Sequence, residues 1–538
     1  MNDKVKEITK RFNSLEEKRK PWEAVWAKAA ELCSVNSRIY IKDAKDNIIQ
    51  KNFDGTARNA LNTFAAALKS VLIPTNTIWH RLKPTNPRFQ DNDNTRRYLE
   101  YVNDLLFKVR YAPESRFTSE ATIQLKQMGI YGQAAWLIED NVGKGILYRS
   151  IPMNEIYCDV NRLGVVDVIY RKYELTARQA LQEFGSKATS KIKDAAEKKP
   201  DEKMTFLHAV EPRKDRDIRK LDAVNMPVAS YHIDLDHHEM IYESGYRVNP
   251  YMVPHYDSIA GSAYGSSPAL QAFDDILCIN EMQKTALRSG QLAANPTILV
   301  GADINNSSRI GQPGAIVRGL DSNGRPQVMP MQYGANIGIT LEMQQEVKSV
   351  IEKAFLVPLF QSLAELKDLR DVRAYVVQQK IQERAMLLAP TSELISSEWL
   401  IGNVRREIDI LSQYGYLDDI PEELMYDGAI DIEFESPAIH MQQASSITGL
   451  MEWIESIMGM SQVNPGILDI IDFEQAARAI ADYKGVATKI IRTPEQVKSL
   501  GEQRAQAEQA QALLAAAPAI SQTVRNLSGG NNNGNIQG

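Results

Sequence analysis

Between Pro268 and Pro358 the chain passes through two long helical repeats separated by a Gly- and Pro-rich stretch of different character, and this order constrains the fold more than any other feature. Leu270, Phe273, Ile276, Leu277 and Met282 fall on one stripe of a helix that starts at Pro268 and runs to about Ala294. At 1.5 Å per residue such a helix is roughly 40 Å long, which is long for a globular core. Strand-like pieces, NPTILV, GAIVRGL and RPQVMPM, follow. The helical pattern returns from about Ile339 to Phe355 and ends at Pro358. Two rods flanking a small β insert make an out-and-back stalk with a tip. Their apolar stripes are too extended to be buried within one subunit, so the pattern predicts packing against copies of the same chain.

The remainder reads as α+β and predominantly helical. The first 35 residues carry Phe12, Leu15, Trp22, Val25, Trp26 and Ala29 at helical spacing. A second helix, FDGTARNALNTFAAALKSVL, is expected to be capped by Asp54 and to stop before Pro74. IPTNTIWHRLKP then runs extended, with Trp79 as an anchor, and helices follow over 95–109 and 117–128. From Ala134 short β-rich runs alternate with turns, and Thr176–Phe184 returns to helix. Residues 187–220 hold eleven basic and seven acidic side chains, which predicts a solvated surface segment. VASYHIDLDHHEMIYESGYRV reads as strands with a turn, and GSAYGSSP as a flexible loop before the stalk. Beyond the stalk, PLFQSLAELKDLRD is polar and charged. A helix over 372–388 presents Val377, Ile381, Ala385 and Leu388 on one face, Pro390 interrupts it, and Ser392–Leu411 resumes it. Further amphipathic helices are expected over 447–458 and 474–511, and LSGGNNNGNIQG should be disordered.

Composition excludes several classes of function. At 538 residues more than one packed region is needed, and 43% hydrophobic with 24% charged residues is a globular composition. No apolar run reaches the roughly 20 residues of a membrane span, and the N-terminus MNDKVKEITKRF has no apolar signal core, so the chain is expected to stay where it is made. Cys33, Cys158 and Cys278 are widely spaced with no CxxC, against disulfides or a thiolate metal site. A net charge of -6 lacks the basic footprint of a protein that grips DNA tightly.

Motifs that could carry chemistry have plainer readings. In HIDLDHH, strand alternation puts His232, Asp234, Asp236 and His238 on one face, read here as solvated rather than as a metal site. GSAYGSSP precedes a helix but lacks GxxxxGK[ST], as does the rest of the chain. The pairs Asp274–Asp275 and Asp418–Asp419 diverge by about 100° on a helix and do not converge on one ion. No GxSxG and no cysteine beside a histidine offers a nucleophile. The expectation is no catalytic, metal or cofactor residue, and not an enzyme.

Several stretches resemble the podovirus head-to-tail connector, or portal, family. FDGTARNALNTFAAALKSVLIPTNTIWHRL is similar to its N-terminal block, and QMGIYGQAAWLIED and IPMNEIYCDVNRLGVVDVIYRKYELTARQALQEFG to its body. AYGSSPALQAFDDILCINEMQKTALRSGQLAANPTILV resembles its stem, and DVRAYVVQQKIQERAMLLAPTSELISSEWLIGNVRREIDIL the helix after its channel loop. The resemblance covers about residues 10–440. It departs at Arg373–Ala374–Tyr375, where the family often has small and Thr-rich residues.

The resemblance implies a portal fold with a wing (1–260), a stem helix (261–294), a clip (295–337), a returning stem helix (338–358) and a channel loop (359–371). A kinked helix and wing return (372–439), a helical crown (440–511) and a disordered tail (512–538) complete it. It further implies a homo-oligomeric ring, a dodecamer, carrying double-stranded DNA at one capsid vertex of the virion after assembly in the host cytoplasm. The implied partners are the terminase motor, scaffolding protein, major capsid protein, tail adaptor protein and internal core proteins, with no membrane. Lys367, Arg370 and Arg373 become the residues expected to touch DNA in the channel. The rival readings are a capsid or tail structural protein with no conduit, and a packaging ATPase or nuclease. The latter would need a nucleotide loop or an acidic metal cluster.

Overall fold

The computed structural model describes residues 3–34, 52–75, 78–89, 92–141, 145–220, 222–294, 298–300, 328–330, 337–360, 390–417, 419–426, 428–434, 449–460, 465–483, 490–492 and 496–508. The helices are α1 (Asp3–Cys33), α2 (Thr56–Leu72), α3 (Asp93–Arg110), α4 (Phe117–Tyr131), α5 (Ala177–Phe184), α6 (Ser190–Lys198), α7 (Pro268–Gln271), α8 (Phe273–Ala294), α9 (Ile337–Ala354), α10 (Ile401–Gln413) and α11 (Phe473–Tyr483). The strands are β1 (His80–Pro84), β2 (Ala135–Asn141), β3 (Gly145–Ile151), β4 (Ile156–Val160), β5 (Val166–Thr176), β6 (Lys203–Pro212), β7 (Val228–Asp234), β8 (Glu239–Tyr246), β9 (Tyr251–Met252), β10 (Ile298–Val300), β11 (Val328–Pro330) and β12 (Ile430–Phe434). The chain divides into two compact units. The larger holds Met1–Arg81, Asn103–Asp418 and Ile432–Ile439; the smaller holds Leu82–Val102, Asp419–Asp431 and His440–Gly538.

In the larger unit β4 to β8 form a five-stranded antiparallel sheet in sequence order. Its strands obey the period of two, so each has one set of side chains per face. On one face Val5, Ile8, Phe12 and Leu15 of α1 pack on Tyr170, Leu207, Ala209, Tyr231 and Ile233. On the other, Phe184 of α5 and Ile192 of α6 cover Tyr173, Met204 and Phe206. A capping box starts α5: the Thr176 hydroxyl accepts from the Gln179 amide while the Gln179 side chain accepts from the Thr176 amide.

Four expectations are corrected here. Residues 187–220 are not a solvated excursion, because they contain α6 and β6, the central strand of the sheet. Met204, Phe206, Leu207, Ala209 and Val210 are buried, and the flanking charges hid that apolar run. His232 and Asp234 are not on a wet face: both are buried, since α5 covers that side of the sheet. His232 stacks between His208 (centroids 4.0 Å) and Tyr242 (4.4 Å). β7 ends at Asp234, whose carboxylate accepts from the Asp236 and His237 amides, so the alternation does not continue to His238.

The third correction concerns GSAYGSSP, which is packed rather than free. Tyr264 and Ser267 are buried. The Ser267 hydroxyl accepts from the Leu270 amide (2.9 Å) and donates to the Ile130 carbonyl (2.9 Å), so it has nothing left for an anion. Gly132 has φ +82°, and a Cβ there would lie 2.5 Å from the Gly265 carbonyl oxygen, so the two backbones cross at a distance only glycine permits. The fourth is the start of α2. Its N-cap is Gly55, and Asp54, one residue earlier, accepts from the Thr56 amide (2.8 Å).

In the smaller unit the Thr85 amide donates to the Ala429 carbonyl (2.9 Å) and the Asn92 side chain to Glu423 (3.1 Å). Its C-terminal part is helical over 449–460, in α11 and over 496–508, with Trp453, Met458 and Met460 exposed.

Candidate functional site

The stalk anticipated from periodicity is α7, α8 and α9. Pro268 opens the four-residue α7, Ala272 interrupts it, and α8 follows directly. The chain leaves along α8, turns through β10 and β11, which pair antiparallel from Ile298↔Pro330 to Val300↔Val328, and returns along α9. α8 and α9 pack on each other, and α9 also packs on α2. Most of the expected clip, residues 301–327, lies outside the described residues.

Burial along the pair is uneven. At the end near the body, Ile276 and Ile279 of α8, Ile351 of α9 and the adjacent Phe355 are buried, and Phe64 of α2 meets Phe355 edge to face at 6.1 Å. Two polar ties fix the same end. The Phe53 amide donates to Asn280 (2.7 Å), and Lys348 pairs with Asp54 (3.5 Å). Further along, Leu287 is 47% exposed, Leu341 58% and Met343 52%, and at the body end Val350, beside the buried Ile351, is 42% exposed. The exposed charges between them are mainly acidic: Asp274, Glu281, Glu342 and Glu346 against Arg288 and Lys353.

The body also holds a buried ion pair that sequence reading missed. Arg110, the last residue of α3, and Glu407 of α10 are both fully buried, 297 residues apart. Arg110 Nε and Nη2 donate to the two oxygens of Glu407 at 3.0 and 2.5 Å. Glu407 Oε1 also accepts from the Tyr148 hydroxyl (2.5 Å) and the Asn403 amide (2.6 Å). Asn403 in turn accepts from Trp136 Nε1 (2.9 Å). The Arg110 guanidinium lies 4.3 Å from the Trp79 ring centroid, which gives that expected anchor its partner. Burial opposes the Arg110 charge, but Glu407 more than offsets it and the pKa is raised. Burial, reinforced by Glu407, pushes Tyr148 well up, so it remains a donor. The one available signal was Asn403 and Glu407 falling on the stripe of Trp399, Leu400 and Ile410 in α10 and the turn before it.

Lys367, Arg370 and Arg373, with the helix expected over 372–388, lie outside the described residues. Asp274 is exposed, and Asp419, also exposed, sits outside any helix with φ +58°. Among the described residues no group of three or more His, Cys, Asp or Glu is placed to hold a metal ion, and no helix is long and apolar enough to cross a membrane.

The stalk is thus a long helix pair with exposed apolar side chains, packed at one end on the body. Comparison with known proteins gives it a family. A protein named probable portal protein, from Bordetella phage BPP-1, is 23% identical over 512 residues, covering 94% of this chain and 91% of the relative. The portal protein of Salmonella phage epsilon15 is 24% identical over 530 residues, covering 97% and 95%. The model of the family described as bacteriophage head to tail connecting protein matches residues 5–491 of this sequence, and the chain belongs to that family.

Proposed function

We propose that this chain is the portal subunit of a bacteriophage, a virion protein whose copies form a ring joining head to tail. Its work is structural, not enzymatic. Membership of the head to tail connecting family over residues 5–491 supports this, as do two relatives named portal proteins that cover nearly the whole chain. The observation that carries the reading is the apolar surface of α8 and α9. Leu287, Leu341, Met343 and Val350 are exposed in the single chain, and lateral packing of neighbouring stalks would cover them. Fully burying an exposed side chain of this kind stabilises by about 1.5–3 kcal/mol, so covering these half-exposed ones gives about half of that each, and head-to-tail contacts that close make cyclic symmetry.

In the finer proposal the ring has twelve members around a channel for double-stranded DNA. The acidic bias of the exposed stalk charges suits such a channel, because phosphates would be repelled and DNA would slide. Lys367 and Arg370, in the channel loop 359–371, and Arg373 just after it would supply weak contacts that do not read sequence. The β10–β11 end would face the terminase motor and later the tail adaptor. The body would meet scaffolding and capsid proteins, and the C-terminal helices the internal core proteins. If normal genome length is packaged and retained with all three basic residues changed to Ala, the channel-loop part fails alone.

Electron microscopy of the purified protein tests the main reading. The expected particle is a ring of about twelve with a central hole. Sixfold plates would favour a structural capsid protein without a conduit, and a well-folded monomer at high concentration would overturn the portal reading.

A further inference from the structure

The helix that ends in α10 carries a rare irregularity with a charged contact on it. Residues 396–400 form a π-helical turn, closed by the Ile401 amide donating to the Ser396 carbonyl five residues back. Ile395, Trp399, Asn403, Glu407 and Leu411 are all buried, and each is four residues from the next. An α-helix advances 100° per residue, so every four-residue step drifts the stripe by about 40°. One wider turn takes up much of that drift. It keeps Ile395 in the core while Trp399 meets Trp136 edge to face at 5.2 Å and Glu407 reaches Arg110.

Besides that ring contact, a charged side chain of the turn is fastened from outside the helix. Glu398 Oε2 accepts from the His255 backbone amide (2.8 Å) and lies 2.9 Å from the same residue's ring Nδ1. Nε2 of that ring faces the Ala263 carbonyl at 3.2 Å. Both ring nitrogens therefore point at groups that only accept. A neutral imidazole has one N–H and satisfies one of them, whereas the imidazolium satisfies both. His255 is buried and its backbone is held on both sides, by the bridge to Gln133 and by the Tyr256 amide donating to Gly132.

We propose that His255 is a proton-operated latch on this π-turn: the charged ring fastens Glu398, and loss of its proton loosens the turn toward ordinary α-helical register. Relaxation by one residue would rotate the helical residues 390–395 by about 100° relative to α10.

The surroundings agree. Among the described residues Glu398 is the charged group on the ring. From the other side the Ala263 carbonyl is shared with the Cys158 thiol (3.6 Å), which burial pushes up to about 12 and keeps neutral. Asp257, two residues on, directs its carboxylate toward Gln271 at 3.5 Å. Burial alone would lower the His255 pKa, but the hydrogen bond and charge of Glu398 outweigh it and the pKa is raised. The charged contact is thus fully present below the unfolded value of about 6.5 and is lost as pH rises through the higher folded value.

Hydrogen exchange of the full-length protein between pH 6 and 9, corrected for intrinsic rates, tests the latch on peptides covering 392–404. Wild-type protection should hold at the acid end and then fall by up to tenfold per pH unit above the His255 pKa. Peptides from β5 and β6 should stay flat. Glu398→Gln keeps the hydrogen-bond geometry but removes the charge, and should move the step down by at least one pH unit. His255→Gln should give low protection with no step. Flat wild-type protection across the range, or a step unchanged in Glu398→Gln, overturns the proposal, and that second variant decides the matter if His255→Gln fails to fold.

Discussion

In the body sheet, β6 places Leu207 and Ala209 against α1 and Met204 and Phe206 against α5 and α6, so one chain closes both faces of its own strand. In the stalk, α8 and α9 bury Ile276, Ile279 and Ile351 near the body and leave Leu287, Leu341, Met343 and Val350 exposed along their length. The same residue types thus do different jobs. The body is a finished core on which the stalk starts, whereas in the proposed ring the stalk is half an interface. Destabilising the first should unfold subunits, and altering the second should leave subunits folded but unassembled.

The largest expected effect separates these two cases. Changing Leu287 and Leu341 together to Asp adds two charges to a surface that neighbouring stalks should cover, at the cost of desolvating them on assembly. Rings should disappear in size-exclusion chromatography with light scattering, while circular dichroism and thermal unfolding of the subunit stay near wild type. Intact rings in the double variant would show that these faces are not interfacial, and a collapsed fold would mean that the two residues belong to the subunit core.

Next in size is the buried ion pair of the body. Glu407→Ala leaves Arg110 buried with its guanidinium unpaired, and breaking a buried pair in this way costs about 3–5 kcal/mol. The unfolding midpoint in urea should drop accordingly, together with ring yield, because fewer subunits stay folded to assemble. Exchanging both partners for apolar residues, Arg110→Met with Glu407→Leu, should recover much of the loss, since no charge is then stranded. A single variant with wild-type stability would mean that water reaches Arg110.

What the sequence could reveal follows the reach of each interaction. The helices α2, α4, α8 and α9 were legible because their apolar spacing is local, and Thr176 and Gln179 are three residues apart, as a capping box requires. β6 was hidden because eighteen charges surround FLHAV, and a composition count outweighed a five-residue run. Alternation correctly puts His232 and Asp234 on one face, but it cannot say which face is dry; α5 decides that. Arg110 and Glu407 meet only through the tertiary fold, and the π-turn depends on a core stripe that no local pattern announces. Of the candidate site, the two long helices were readable and the buried ion pair was not.

The smallest expected effect returns to the body and asks how finished its core is. His232 is buried in the stack between His208 and Tyr242; burial, followed by Lys187 and Arg171, lowers its pKa from about 6.5 to about 3. The folded ring therefore stays neutral where the unfolded one takes up a proton. Stability from this residue is complete above pH 6.5 and drains away as pH falls toward 3, amounting to about 2 kcal/mol between pH 7 and pH 5. His208, held well below its usual value by burial and then by His232, pulls in the same direction. His232→Phe keeps an aromatic ring in the stack and removes the proton site, so the variant should lose about 2 kcal/mol less than wild type over that interval in urea unfolding. Equal losses in both proteins would mean that protonated His232 is tolerated in the folded sheet, and that the α5 side of the body is more open to water than the stacked rings imply.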